Sequence, residues 1–401
     1  MSRNPIMIDL FSGAGGLSEG LRQANFESIY ANEIKSQYLK TYAHNHKNTE
    51  VDPRDIRLIT PSVIRKSLEI QKGELDLIAG GPPCQGFSIN APYRSPLDQR
   101  NHLFRNFLNF VEEFHPKSVL IENVPGLVSF ENGATLQAIL DSLKELGYQA
   151  DVRILYAPHF GVPQTRWRTI IIAFRNNSEK LTFFPDPHHD APLRVNFTSK
   201  FGGRNIVSMP NRTDLRDFVS VQDAIDDLPV LKNGEIGLEK KSYRMLPQNQ
   251  YQHILRADSE YVTNHEAGKL STVNLERLKY IPPGGNWTNI PFELLPKGMQ
   301  RARKSDHTKR YGRVMPDGLA STILTKCDPH WGAYFHYNQD RTFTVREAAR
   351  IQSFPDSFHF LGSKVEQYEQ VGNAVPPLLA QAIGNNIFNI LEATKSVSKV
   401  G

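Results

Sequence analysis

Two cysteines, Cys84 and Cys327, stand in a chain of 401 residues. So sparse a pair excludes a disulfide framework and a cysteine-rich zinc cluster. Long apolar runs are missing as well. The longest, such as TIIIAF at 169–174, are far too short to cross a bilayer, and no membrane partner is expected. The opening MSRNP leads straight into a strand-like run with no secretory pattern. Few thiols and no such pattern set the expectation of a reducing, cytoplasmic compartment. Repeats and low-complexity tracts are absent. The histidines, including His188 and His189, lack metal-ligand spacing, so no metal is expected and Cys327 is read as structural.

What is present reads as globular: 39% hydrophobic and 22% charged residues. The length suits two domains, or one large domain with an insertion. The net charge of +5 is unevenly spread, because residues 191–330 hold 21 Lys and Arg against 15 Asp and Glu. A basic middle in an otherwise near-neutral chain suggests a polyanionic partner, although a solvated surface gives the same count.

The first 175 residues alternate strand and helix signals. Apolar runs at 6–11, 27–33, 75–80, 118–124 and 168–174 are bounded by turn residues, and helical periodicity fills 102–114 and 134–146. Continuously apolar strands between amphipathic helices predict a doubly wound, mostly parallel α/β sheet. After about Phe184 the periodicity turns irregular and polar. Helical signals return at 344–354 and 375–393.

Five short blocks carry chemistry. FSGAGGLSEG (11–20) follows the first strand, where Gly13, Gly15 and Gly16 allow a tight turn and a close approach to a ligand. Glu33 ends the next strand, where a carboxylate can hold ribose hydroxyls. An adenosine-containing cofactor fits. So does a dinucleotide, although the G-x-G-G spacing departs from G-x-G-x-x-G. AGGPPCQGFS (79–88) presents Cys84 behind two prolines, a stiff mount that suits a nucleophile. IENVPG (121–126) puts Glu122 at a strand's carboxyl edge, as a proton donor or one half of an ion pair. In QTRWR (164–168), Arg166 and Arg168 stand two apart and would share a face in an extended segment. QVGNAVPP (370–377) closes onto the last helix.

In that order and spacing, these blocks resemble the bacterial cytosine-5 DNA methyltransferases. The resemblance covers about 1–176 and 316–393 and includes RTFTVREAARIQSFP (341–355). It implies a Rossmann-like methyltransferase fold, S-adenosylmethionine as cofactor with S-adenosylhomocysteine as product, and double-stranded DNA at a short specific sequence as substrate. A monomer, acting separately from a cognate restriction endonuclease, is the expected form. Phe11, Gly13, Gly15, Glu33, Asp55, Ile56, Pro83, Leu103, Asn373 and Val375 fall on the family's cofactor positions. Ile34 does too, but where many relatives place an aromatic. Cys84 matches the nucleophile, Glu122 the acid that meets the cytosine ring, and Arg166 and Arg168 the arginines flanking the base. Gln85, Ser88 and Arg100 match positions on a loop over DNA.

Cytosine carbon 5 is a poor nucleophile until a thiolate adds at carbon 6, so Cys84 has to ionise and Glu122 has to support ring nitrogen 3. The base must also leave the helical stack. The stretch 297–313 sets Lys297, Arg301, Arg303, Lys304, Lys309, Arg310 and Arg313 against one acid, Asp306, and is read as tracking phosphates. A catalytic domain over 1–184 plus 365–401 and a target-recognition domain over 185–364 are expected. The last helix is expected to return beside the first strand, and 341–355 to organise the smaller domain. A transfer-RNA cytosine methyltransferase, an inactive DNA-binding relative and a nicotinamide oxidoreductase are the other readings. The first would have a much shorter variable region, and the last would leave the Pro-Pro-Cys and Glu-Asn-Val blocks without a purpose.

Overall fold

Apolar runs bounded by turn residues become strands here because both of their faces are covered. The computed structural model describes residues 3–83, 103–175, 183–211, 213–236 and 240–397. In chain order its first part runs β1 (Ile6–Leu10), α1 (Gly16–Gln23), β2 (Glu27–Asn32), α2 (Ser36–Asn45), β3 (Glu50–Asp52), α3 (Pro61–Ser67) and β4 (Leu77–Gly80). It continues α4 (Leu103–Phe114), β5 (Ser118–Asn123), α5 (Ala134–Glu145), β6 (Tyr148–Tyr156), β7 (Gln164–Thr165) and β8 (Trp167–Arg175). Seven strands form one sheet in the order β3-β2-β1-β4-β5-β8-β6. The pairs from β3 to β5 are parallel, and β8 runs antiparallel to both β5 and β6. Every residue of β1 and of β4 is buried.

The remaining helices are α6 (Val221–Ile225), α7 (Gln250–Arg256), α8 (Thr272–Leu278), α9 (Val345–Ile351), α10 (Lys364–Asn373) and α11 (Pro377–Val397). The chain divides into two compact units. One holds 1–160, 167–216 and 375–401, and the other holds 161–166 and 217–374. These boundaries differ from the expected 184 and 365: the first unit runs on to 216, gives up 161–166 and resumes at 375, and the first two differences have local reasons. Residues 206–208 lie along the sheet's edge strand, with Ile154 N donating to Ile206 O at 2.7 Å and Ser208 N to Ile154 O at 3.0 Å. β7 pairs in parallel with Ala320–Ser321, which draws 161–166 into the second unit.

In the first unit, Ile8, Leu10, Ile78, Val119, Ile121 and Ile171 form the heart of the core. α11 packs on α1, the helix that follows β1. The approach is close: a Cβ at Gly20 would lie 2.3 Å from Pro377 O and 2.4 Å from Ala380 Cβ.

The second unit has little sheet and a charged interior. Arg341, Arg346 and Arg350 are fully buried. Arg350 grips Asp227 at 2.9 Å and Asp356 at 2.6 Å, and Arg341 forks onto Glu347 at 2.7 and 2.6 Å. Arg346 donates to the carbonyls of Thr263, Pro355 and Phe358. α9 starts from a capping box in which Thr344 and Glu347 satisfy each other's backbone N–H. A separate apolar cluster joins Leu278, Ile281, Trp287, Met299, Tyr311 and Phe335.

Candidate active site

The strand order reverses between β1 and β4, and ligands bind such sheets at that point, outside the carboxyl ends. The chain leaves β1 through Phe11 and Gly13, whose φ values of 59° and 57° lie in the left-handed region. Among the described residues, a Cβ at Gly13 would meet nothing within 4 Å. Its N–H donates to Glu33 Oε2 at 3.1 Å, and Lys35 N donates to Glu33 Oε1 at 2.8 Å. Burial pushes the Glu33 carboxyl up from its ordinary value, and these two N–H groups oppose that. An oriented acid beside a glycine turn fits a polyhydroxylated ribose. Ile34, next along, is 61% exposed and can pack on a ring. Ile56 is buried, while the Asp55 carboxylate is engaged with Arg57 at 2.5 Å, which holds its pKa low. Leu103 is half-buried against the core, and Pro83 is half-buried.

Behind this turn lies a buried polar chain that sequence reading missed. Ser18 Oγ donates to Asp9 Oδ2 at 2.6 Å and lies 2.7 Å from the Tyr42 hydroxyl. Burial pushes the Asp9 carboxyl up to about 7. Asp9 lies inside an otherwise apolar strand, and that is the only signal that could have found it.

At the end of β5, Glu122 Oε1 meets Arg168 Nε at 2.5 Å. The register explains the meeting. Glu122 is paired with Ile170 across the antiparallel ladder, so Arg168 is its diagonal neighbour on the same face. Trp167, between the two arginines, turns the other way and stacks on Tyr156 at 4.3 Å. Gly81 lies against the same carboxylate, and a Cβ there would sit 2.9 Å from Glu122 Oε2. Asn123 Nδ2 donates to Pro82 O at 3.1 Å, which ties the end of β5 to the segment leading toward Cys84. Gly81 and Asn123 were legible only as parts of their motifs. Cys84, Gln85, Ser88 and Arg100 lie outside the described residues.

The shared face expected for Arg166 and Arg168 is not what the structure has. Arg166 sits between β7 and β8, is buried, and turns its guanidinium to backbone carbonyls of the second unit. Asn373 ends α10 with its side chain exposed, and Val375 is buried. In the basic stretch, Lys297, Arg301, Arg303, Lys304 and Lys309 are exposed. Arg313 pairs with Asp340 at 2.7 Å, and Arg310 lies over Trp331, 5.7 Å from the ring centroid. Trp331 is 60% exposed. No motif marks it, because exposure of a lone aromatic is set by the fold. Among the described residues, no helix is long and apolar enough to cross a membrane.

The model of the C-5 cytosine-specific DNA methylases matches residues 6–389. The chain belongs to that family. Among its relatives, the Type II methyltransferase M.AgeI of Thalassovita gelatinovora is 33% identical over 95% of this chain and 98% of its own. M.DdeI of Desulfomicrobium norvegicum is 34% identical over 95% of this chain and 88% of its own. In structure, a prophage-encoded E. coli protein described as a DNA modification methyltransferase matches with a TM-score of 0.73 and 25% identity. That match covers 97% of this chain and 99% of the other. The protein is thus a cytosine-5 DNA methylase on the α/β methyltransferase fold, and Glu122, the Gly13 turn and Glu33 line the carboxyl edge of one sheet.

Proposed function

We propose that the protein methylates carbon 5 of cytosine within a short sequence of double-stranded DNA, using S-adenosylmethionine. It acts as a monomer in the cytoplasm, as the modification partner of a separate restriction endonuclease. The Glu122–Arg168 pair, at the end of the strand beside the Pro82 segment, is the observation that carries this reading. S-adenosylmethionine, when bound, supplies the methyl group and leaves as S-adenosylhomocysteine. Gly13, Gly15, Glu33, Ile34, Ile56 and Leu103 supply its cradle.

The Cys84 thiolate adds to carbon 6 and makes carbon 5 nucleophilic; after methyl transfer carbon 5 loses its proton to a base and the sulfur–carbon 6 bond breaks, restoring the ring and the thiolate. Glu122, steered by Arg168, meets ring nitrogen 3 as charge develops there. Extruding the base costs a few kcal/mol. Exposed Arg301, Arg303, Lys304 and Lys309 on the second unit offset this by contacting phosphates, which makes that unit the target-recognition domain.

The test is methyl transfer to an unmethylated bacterial genome, read base by base after bisulfite treatment, with Cys84→Ala in parallel. Methylation at one short repeated sequence, absent from the variant, is expected. No methylation by folded, cofactor-binding protein refutes DNA as the substrate.

A further inference from the structure

A helix leaves its last carbonyls without intrahelical partners. At the end of α10 these carbonyls are taken by side chains from distant segments. Arg166 Nη2 donates to Gly372 O and Ala374 O, both at 2.9 Å, and its Nη1 donates to Ile323 O at 3.2 Å. A guanidinium there also complements the negative end of the helix dipole. Gln352 Nε2 completes the set, donating to Val371 O at 2.9 Å and Ala374 O at 2.7 Å. Gln164 locks the knot from behind. Its Oε1 accepts from Ile323 N at 3.1 Å, and its Nε2 donates to Ile351 O at 3.0 Å and to Gln352 Oε1.

Backbone packing adds a constraint of its own. A Cβ at Gly372 would lie 2.4 Å from the Leu324 carbonyl carbon, so only glycine lets the turn settle. Gln164 and Gln352 are fully buried and Arg166 is 2% exposed. Three buried side chains therefore fix residues 371–374, while the Asn373 side chain between the held carbonyls stays exposed.

We propose that Arg166 is a positioning residue for the turn that presents Asn373 and Val375 to the cofactor, and not a base-contacting one. The two arginines of QTRWR then divide the work: Arg168 steers the catalytic acid, and Arg166 shapes the cofactor's turn. This rests on the function proposed above and on the resemblance that sets Asn373 and Val375 on the family's cofactor positions. Lysine cannot replace Arg166, because one ammonium cannot reproduce a planar fork onto several carbonyls.

The experiment compares Arg166→Lys, Gln352→Met and Arg168→Lys in the full chain. S-adenosylhomocysteine affinity is measured by calorimetry. Covalent capture, at saturating S-adenosylmethionine, uses a 5-fluorocytosine duplex carrying the sequence mapped by bisulfite. Arg166→Lys and Gln352→Met should each weaken S-adenosylhomocysteine about tenfold, as loss of charge-assisted or buried hydrogen bonds does, and raise the KM for S-adenosylmethionine. Covalent capture at saturation should stay at the wild-type rate. Arg168→Lys should show the reverse: slow capture and unchanged cofactor affinity.

Unchanged cofactor affinity in both Arg166→Lys and Gln352→Met overturns the proposal, even if the melting temperature falls. So does lost capture at saturating cofactor in Arg166→Lys. If Arg166→Lys fails to fold, Gln352→Met decides alone. Wild-type protein that binds S-adenosylhomocysteine but captures no duplex refutes the DNA reading instead.

Discussion

The two units of this protein satisfy their buried backbone in different ways. In the first, seven strands pair with one another, so the interior can be Ile, Leu, Val and Phe. In the second, short helices and irregular loops bury carbonyls that no ladder reaches. Long cationic side chains serve them instead: Arg346 bonds the carbonyls of Thr263, Pro355 and Phe358, and Arg166 those of Ile323, Gly372 and Ala374. Irregular chain stays buried here by recruiting charge, and that charge requires buried acids such as Asp227, Glu347 and Asp356.

The sharpest way to break this contrast is Arg350→Met. It leaves Asp227 and Asp356 buried without their shared partner, and about 3–5 kcal/mol of stability should be lost. Hydrogen exchange should show the loss in 217–374 and spare the sheet.

Next comes pH, because the units should respond with opposite sign. Burial works against ionisation of Glu347 and Asp356, but Arg341 and Arg350 outweigh it and hold both carboxyls low. A carboxyl depressed in the folded state stabilises above its unfolded pKa, and that stability drains as the pH falls through the folded value. Asp9 is the reverse case, with burial raising its carboxyl from 3.8 to about 7. The folded state then binds the extra proton across that window, so the first unit gains stability as the pH drops from 7 toward 4. Exchange rates followed across this range should slow in the sheet, and below it quicken first around α9. Asp9→Asn should flatten the sheet's response and leave that of α9 alone.

The smallest effect sharpens the comparison from the apolar side. Ile8→Val in the middle of β1 should cost about 0.5–1.5 kcal/mol, measured by denaturant titration, with no new pH dependence.

This contrast also governs what could be read from sequence. β1, β4, β5 and β8 announced themselves as apolar runs, and helices α4 and α5 fell within a residue of the periodicity. β6 escaped because YQADVRILY mixes charge into an edge strand that has one neighbouring strand in the sheet. The Glu122 and glycine-turn positions were legible because motif and strand end coincide. The partners of Arg166 were not, because its contacts at 323, 372 and 374 lie more than 150 residues away. Two residues apart in an extended chain predicts one face. Here β7 ends before Arg166 and β8 begins after it, and the break lets each arginine find its own partner.

The packing of α11 on α1 has a consequence for how the protein is made. α1 emerges from the ribosome well before its partner, which follows roughly 350 residues later. Until α11 has been synthesised, the small-residue groove at Gly20 and Ala24 stays bare, and the helix beside the glycine turn lacks its cover. Truncated translation products therefore carry every strand of the sheet but expose this face. Such chains should be claimed by chaperones or proteases before they can ever hold a cofactor.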